Sequence, residues 1–306
     1  MRVAVTGASG FIGGYVAQYL TRHGHDVVSY GRRASSAFTR GLPEYRSWDF
    51  ADEPADGSGF EAVVHCAGAV GDWGNESWFQ RGNVAGTANV LETFKDASRF
   101  IHVSTSSVYS DRTSRILVSE HANTGDCASA YGRSKAAGEA LVRASARSFV
   151  ILRPHIVYGP GDTTLLPRVF EACRSGVLMV PGNGRNLVST THVENFSSAV
   201  LAALTSDVTG TFNISDGVDV SVHDLLTTIF QRTRRDVRLR YLPAAAANVV
   251  ASCLESVWKV TGAKRRPRIT RYIVSQLSEE HTLDISLARA ALGYSPKWTF
   301  RDGLLT

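Results

Sequence analysis

Short apolar runs alternate with helix-period patterns through the first half of the chain. Arg2–Thr6 reads as a strand, 11–23 as a helix and 26–30 as a second strand. Positions 62–66 give another strand and 76–95 a long helix; 100–104 and 149–152 are further strands, separated by a helix over 131–147. The runs Val3-Ala4-Val5-Thr6, Ala62-Val63-Val64-His65-Cys66 and Phe100-Ile101-His102-Val103-Ser104 lack clean polar alternation, as strands buried on both faces do. This alternation predicts an α/β fold with a doubly wound parallel sheet.

Beyond Pro154 glycine and proline cluster at 159–161 and 181–184, with shorter elements between them. The expected division is a dinucleotide-binding domain over 1–155, to which segments around 185–215 return, and a smaller interleaved substrate lobe over 156–306. A cleft between the two is a usual place for a ligand.

Composition narrows the classes. With 306 residues, 43% hydrophobic and 20% charged, the chain can bury a large core, which excludes a disordered polymer. Cys66, Cys127, Cys173 and Cys253 lie far apart with no zinc-site spacing. They read as reduced thiols of a cytoplasmic protein, and no metal is expected, since the histidines form no metal-binding pair. No targeting segment is expected at the start. Net charge is +5, but eleven Lys/Arg fall within 231–271 against only Asp236 and Glu255. No nucleic-acid-binding motif accompanies them, so a solvated basic face is expected. The sharper alternative is a docking surface for a membrane or for an anionic partner such as a carrier protein or a coenzyme A thioester. The stretch 242–260 carries Glu255 and Lys259 and reads as an amphipathic helix packed on the core through Val250, Leu254, Val257 and Trp258, with no membrane span.

The candidate chemistry begins at Val5-Thr6-Gly7-Ala8-Ser9-Gly10-Phe11-Ile12-Gly13, between the first strand and the first helix. Gly7 allows a tight turn, Gly10 admits a pyrophosphate to the backbone, and Gly13 lets helix pack on sheet. Ser9, Phe11 and Ile12 stand at the helix N-terminus, whose free N–H groups favour phosphate. A Rossmann-type dinucleotide site is predicted. The dinucleotide is chosen at the end of the second strand, Ser29-Tyr30-Gly31-Arg32-Arg33, where there is no carboxylate for a ribose and two arginines suit a 2′-phosphate. NADP is therefore expected over NAD. Ala67 and Gly68, after a strand, are small enough for a cofactor to cross them. Tyr131 and Lys135, at i and i+4, share a helix face, and a lysine cation beside a tyrosine lowers the phenol pKa toward useful acid–base range.

The glycine spacing, with Tyr131-Gly132-Arg133-Ser134-Lys135 and Arg153-Pro154-His155-Ile156-Val157-Tyr158-Gly159-Pro160-Gly161-Asp162, resembles the extended short-chain dehydrogenases of the epimerase/dehydratase family. Val70-Gly71-Asp72-Trp73-Gly74, Asn83-Val84-Ala85-Gly86-Thr87, Asn186–His192 and Ala291–Pro296 look like the 3β-hydroxysteroid dehydrogenase-like group, with its bacterial 2-alkyl-3-ketoalkanoate reductases. The resemblance covers nearly the whole chain. It implies a catalytic hydroxyl four before the tyrosine of the Val108-Tyr109 pair, which is Thr105, with Ser104 and Ser106 as alternatives. It also implies that Asp49, Phe50 and Cys66 line the dinucleotide, that Pro154, His155 and Val157 pack near the nicotinamide, and that dimers form through 76–95 and 131–147.

The reaction implied is NADPH-dependent interconversion of a ketone and a secondary alcohol on a small molecule such as a 3-keto acid or steroid. Trp73, Ser106, His155 and Arg185 are the candidate substrate contacts, Trp73 with Trp78 and Phe79 as an apolar wall. The departures are Ser110, where the family usually has glycine, and the loop 111–128. The rival reading is a sugar-nucleotide epimerase or 4-ketosugar reductase, with Arg185 or Arg238 holding a diphosphate. Gly31-Arg32 argues against an epimerase, and the intact Tyr131–Lys135 pair argues against a non-catalytic NADP-binding regulator.

Overall fold

Seven parallel strands form the central sheet, as seen in a computed structural model that describes residues 1–51, 54–145, 148–261 and 266–304. In chain order the strands are β1 (Arg2–Thr6), β2 (Asp26–Gly31), β3 (Glu44–Ser47), β4 (Ala62–His65), β5 (Arg99–Val103) and β6 (Ser148–Pro154). Then come β7 (Val157–Tyr158), β8 (Val177–Pro181), β9 (Leu187–Val188), β10 (Thr191–His192) and β11 (Gly210–Ile214). The sheet order is β11-β6-β5-β4-β1-β2-β3, with every pairing parallel. Its order reverses beside β1, so the carboxyl ends of β1 and β4 open a crevice where such folds bind ligands.

Helices cover both faces. On one, α1 (Phe11–Arg22) and, later in the chain, residues 193–205 pack Val16, Leu20, Phe196 and Val200 onto Val3, Val5 and Val64. On the other, Val90, Phe94 and Val142 meet Val28, Val63 and Phe100. The long helix expected over 76–95 is interrupted. It resolves into α2 (Glu76–Gln80), a π-helical turn at Arg81–Ala85 and α3 (Gly86–Thr93). The helix expected over 131–147 is α4 (Ala130–Ala144), and positions 146 and 147 lie outside the described residues.

The second half of the chain adds α5 (Leu165–Ala172), α6 (Val193–Thr205), α7 (Val222–Arg232), α8 (Ala244–Thr261) and α9 (Arg271–Ser278). Here Tyr158, Leu178, Val180, Leu226, Ile229 and Phe300 form a separate core. The sequence β11, which follows this lobe's first strands, returns to pair with β6 in the main sheet. Val250 and Val257, expected to pack inward, are instead exposed; α8 buries Ala247 and Ala251 against Val274. The small side chains let α8 and α9 approach closely, which turns the branched residues outward. Among the described residues no helix is long and apolar enough to cross a membrane. Of the basic segment 231–271, positions 262–265 lie outside the described residues.

One buried ion pair joins three of these elements. Arg153, at the end of β6, donates from Nε to Glu139 Oε1 at 2.8 Å and from Nη2 to Oε2 at 2.6 Å. Ser104, just past β5, donates to the same carboxylate at 2.5 Å, and Arg143 donates at 2.9 Å. Burial alone would raise the Glu139 carboxyl, but Arg153 overcomes it and leaves the group below its ordinary range. Breaking a buried pair leaves its partner charged and unmatched. Glu139→Gln should cost about 3–5 kcal/mol, read as a lowered urea midpoint with an unchanged slope; a shift within error would show that the pair contributes nothing.

Candidate active site

The turn after β1 is built by close contact. Gly7 has φ +76°, and a Cβ there would sit 2.7 Å from the Ala67 nitrogen. The Gly10 nitrogen donates to the Gly7 carbonyl at 2.9 Å. A side chain at Gly13 would collide with that same carbonyl, so α1 begins directly on the turn. Gly10 caps α1 without a side-chain hydrogen bond, leaving the N–H groups of its first turn, Phe11 and Ile12 among them, free to take a phosphate.

The end of β2 is closely packed. A Cβ on Gly31 would lie 2.7 Å from Ser9 Oγ and 2.8 Å from the Tyr45 hydroxyl, so a side chain there would have to turn both hydroxyls aside. Tyr45 comes from β3, an edge strand of mostly polar residues whose sequence carries little strand signal. Arg32 and Arg33 follow, exposed, and among the described residues their guanidiniums have no hydrogen-bond or ion-pair partner. The cradle and the free cations fit a phosphorylated dinucleotide. Asp49 accepts from the Ala51 N–H at 3.2 Å, while the Phe50 ring packs under Gly86 and edge-on to His65 at 5.9 Å. Phe50 is thus partly a core side chain.

Behind the crevice runs a buried polar chain. Thr6 Oγ1 and His65 Nδ1 are 2.8 Å apart, and His65 Nε2 lies 3.1 Å from Thr87 Oγ1. Asn83, in the π turn, accepts from the Ala69 N–H at 2.8 Å and donates to the Ala69 carbonyl and Ser134 Oγ, each at 2.9 Å. It thereby ties the loop after β4 to the helix that carries Tyr131. Such π turns recur at functional sites. Gly68 lies on this loop, and a Cβ on it would meet Asn83 Oδ1 at 2.8 Å and Lys135 Nζ at 3.9 Å. Burial drives the neighbouring Cys66 thiol up to about 12, against an opposing pull from Lys135, and so favours the thiol over the thiolate.

Tyr131 and Lys135 occupy the first turns of α4, whose N-cap Ser129 accepts from the Gly132 N–H at 2.9 Å. Lys135 is buried and donates to the Val103 carbonyl at 2.6 Å, with His102 Nε2 3.4 Å away. Burial lowers its ammonium to about 8, against an opposing pull from Glu139. Burial raises the Tyr131 phenol above its ordinary value, Tyr272 adds to the rise, and the Thr105 hydroxyl beside it and the Arg168 charge act the other way. Thr105 also caps the short 3₁₀ turn Ser106–Val108, accepting from the Ser107 N–H at 3.2 Å. Thr105, Tyr131 and Lys135 therefore stand together at the ends of β4 and β5. Phe79 supports the tyrosine, its ring centroid 6.1 Å from that of Tyr131.

At the end of β6, Pro154 leads to His155, whose Nδ1 lies 2.6 Å from Ser106 Oγ. Ile156, β-branched, is held at φ +38°, a strained conformation that turns the chain into β7 at Val157. His155 stacks on His281 with centroids 5.5 Å apart, and burial lowers the two to about 4 and about 2. Both are neutral at pH 7, and His155 Nε2 is buried without a partner.

Trp73 is half-buried in the loop beside Phe79. Arg185 lies elsewhere, in a surface cleft of about 440 Å³ lined by Asn183, Gly184, Ser221, His223 and Asp224. Two residues were not legible as site residues. Tyr272, on α9, places its hydroxyl 3.0 Å from Ser107 Oγ, a contact across 165 positions that no local pattern announces. Gly132 lies inside the Tyr131–Lys135 motif itself; a side chain there would strike the Ser107 carbonyl and sit 2.7 Å from Cys127 Sγ. That glycine sets how closely α4 approaches Thr105.

A seven-stranded parallel sheet with helices on both faces, a glycine cradle at its crevice and a Thr-Tyr-Lys cluster beside it define a nucleotide-dependent enzyme of the extended short-chain dehydrogenase type. Residues 3–215 match the NAD dependent epimerase/dehydratase family, and the chain belongs to it. It is similar to a 2-alkyl-3-oxoalkanoate reductase of Stenotrophomonas maltophilia (strain K279a), at 28% identity over 99% of this chain and 97% of that protein. It is also similar, at 30% identity over 99% and 95%, to the 4-hydroxy-2-methyl-3-oxo-4-farnesyl-3,4-dihydroquinoline-1-oxide ketoreductase of Stigmatella aurantiaca. Among solved structures, the UDP-glucuronic acid 4-epimerase from Bacillus cereus in complex with NAD shares the fold, with TM-score 0.76 and 24% identity over 99% of this chain and 96% of that one. These likenesses make the protein an oxidoreductase of this family.

Gly132→Ala should destabilise the protein by about 1–3 kcal/mol through overpacking. It should also depress turnover more than cofactor affinity, since the displaced groups are the Ser107 carbonyl in the turn capped by Thr105 and Ser129, the cap of the helix that carries Tyr131; thermal melts and fluorescence titration with NADPH check both, and equal loss of affinity and turnover would refute the local reading.

Proposed function

We propose that the protein reduces a ketone on a small molecule to a secondary alcohol with NADPH, using Thr105, Tyr131 and Lys135. The observation that carries this reading is the convergence of these three side chains beside a crevice with no carboxylate at Gly31 and with Arg32 and Arg33 unpaired among the described residues.

When bound, NADPH supplies the hydride. The protein's part is to hold the ketone and deliver a proton. Tyr131 is suited to donate because its raised phenol pKa keeps it protonated at neutral pH. Lys135, fixed by the Val103 carbonyl, places a cation beneath the crevice and stabilises tyrosinate after the proton has left. Thr105 accepts the Ser107 N–H and donates to Ser107 Oγ at 3.3 Å, a long bond from which a substrate oxygen would take over the hydroxyl hydrogen. Neutral His155 and Ser106 form a polar pair at the crevice wall without adding charge. The printed names of the reductase and ketoreductase relatives support this class of reaction.

Tyr131→Phe should bind NADPH with unchanged affinity and lose about 10²–10⁴-fold in kcat, the usual worth of a positioned general acid. Turnover within a factor of about three of wild type would remove Tyr131 from the mechanism. Arg32→Ala with Arg33→Ala should weaken NADPH by about tenfold or more, as expected for charge-assisted hydrogen bonds worth about 1.5–3 kcal/mol, and leave NADH nearly unchanged. Equal weakening of both, or NAD that co-purifies and never exchanges, would turn the reading toward a sugar-nucleotide epimerase.

A further inference from the structure

Just past β5 stand four consecutive hydroxyl residues, and each meets a different partner. Ser104 donates to the buried Glu139 carboxylate. Thr105 stands beside the Tyr131 phenol of α4, and Ser106 Oγ lies 2.6 Å from His155 Nδ1 at the end of β6. Ser107 Oγ lies 3.0 Å from the hydroxyl of Tyr272, which comes from α9 in the second half of the chain. The first three partners belong to segments that the Thr-Tyr-Lys cluster already uses. Tyr272 does not, yet it is near enough for its charge to act on the Tyr131 phenol.

The chain on both sides of Tyr272 is fixed. Thr270 caps α9 by accepting from the Ile273 N–H at 3.2 Å. Glu255 of α8 accepts from the Arg271 N–H at 2.7 Å and from its Nε at 3.1 Å. Val274 is buried against Ala247 and Ala251. The half-buried Tyr272 ring is thus carried by a seated first turn, and burial raises its phenol above the ordinary value, so it stays protonated at pH 7.

The hydrogens on this strip run one way. Thr105 accepts the Ser107 N–H at 3.2 Å and donates to Ser107 Oγ at 3.3 Å. A serine hydroxyl accepts two hydrogens and gives one, so with Thr105 and Tyr272 both donating to it Ser107 keeps its own. When a ketone oxygen takes the Thr105 hydrogen, Ser107 turns its hydrogen onto Thr105 Oγ1. A chain then runs from Tyr272 through Ser107 and Thr105 to the ketone, headed by a phenol, a more acidic donor than either alcohol. Hydrogen bonds in such a chain polarise one another, most of all as negative charge develops at its far end.

We propose that Tyr272 is a positioning residue for ketone reduction, which acts through Ser107 to strengthen the hydrogen bond that Thr105 gives the ketone oxygen. This rests on the ketone-reductase reading above. Hydride from NADPH adds to the carbonyl carbon, and Tyr131 gives its proton to the oxygen and is left as tyrosinate beside Lys135. The hydrogens of Tyr272, Ser107 and Thr105 stay on their own oxygens throughout. Activation of the ketone is therefore complete only with α9 seated.

The test uses Tyr272→Phe, which keeps the ring and removes the hydroxyl, on the full-length enzyme with NADPH and two ketones, ethyl 3-oxobutanoate and androstan-3-one. The kcat should fall about three- to tenfold, the worth of one hydrogen bond. KM and the Kd for NADPH should stay within about twofold of wild type, since the bond tightens only in the transition state. Ser107→Ala should show the same loss, and the double variant should lose no more than either single one, because both cut one chain. An unchanged kcat in Tyr272→Phe, even with a lowered thermal midpoint, would make Tyr272 a structural staple and overturn the proposal. A raised KM at unchanged kcat would make it a direct substrate contact, and losses that multiply in the double variant would make the two hydroxyls independent; either result overturns it too. Wild type that oxidises NADPH with neither ketone would overturn the ketone-reductase reading, and the proposal with it, whereas the other contrary results leave that reading standing.

Discussion

The buried Glu139 carboxylate is the constraint on which the site depends. A charge taken out of water is costly unless every lone pair is met, and here Arg153, Arg143 and Ser104 meet them. These partners come from α4, the end of β6 and the end of β5. Glu139 also stands one helical turn beyond Lys135, itself one turn beyond Tyr131, so the face of α4 that is locked into the protein is the face that carries the proposed Tyr131–Lys135 pair. Tyr109 extends the arrangement, its ring 4.8 Å beneath the Arg153 guanidinium and its hydroxyl bonded to Asn213 of β11.

Much of this was legible in order along the chain. The glycine turn, the buried strands and the Tyr131–Lys135 spacing are local patterns, and the structure places them where their periodicities imply. What escaped reading is what depends on contacts remote in sequence. β3 is a short edge strand, half-buried at Glu44 and Tyr45 and exposed at Arg46 and Ser47, with no apolar run, so nothing in Glu44–Ser47 separates it from a loop. The break in the helix over 76–95 is made by Asn83 reaching back to Ala69, a choice visible only once β4 lies beside it. Tyr272 and Arg168 come from helices that no motif joins to the catalytic segments. Val250 and Val257 show the opposite failure: helical spacing was read correctly, but the alanines, smaller and less hydrophobic, claimed the buried face.

The site separates its charges by depth. Lys135 is buried and held near the edge of ionisation, burial keeps the His65 and His102 rings beside it neutral, and Arg168 and Arg266 are about one-third exposed, at 34% and 36%. A low-dielectric floor with one titratable cation allows a proton to be given up and recovered there.

The wall around Gly31 has an evolutionary meaning. Ser9 belongs to the phosphate turn, Tyr45 to an edge strand, and Gly31 to the strand between them, and all three meet at one point. An aspartate at that point would meet two hydroxyls before any solvent, so its accommodation would require Ser9 and Tyr45 to turn aside. The residue at 31 is thus coupled to the rotamers of two residues distant in sequence, and the three positions are expected to vary together.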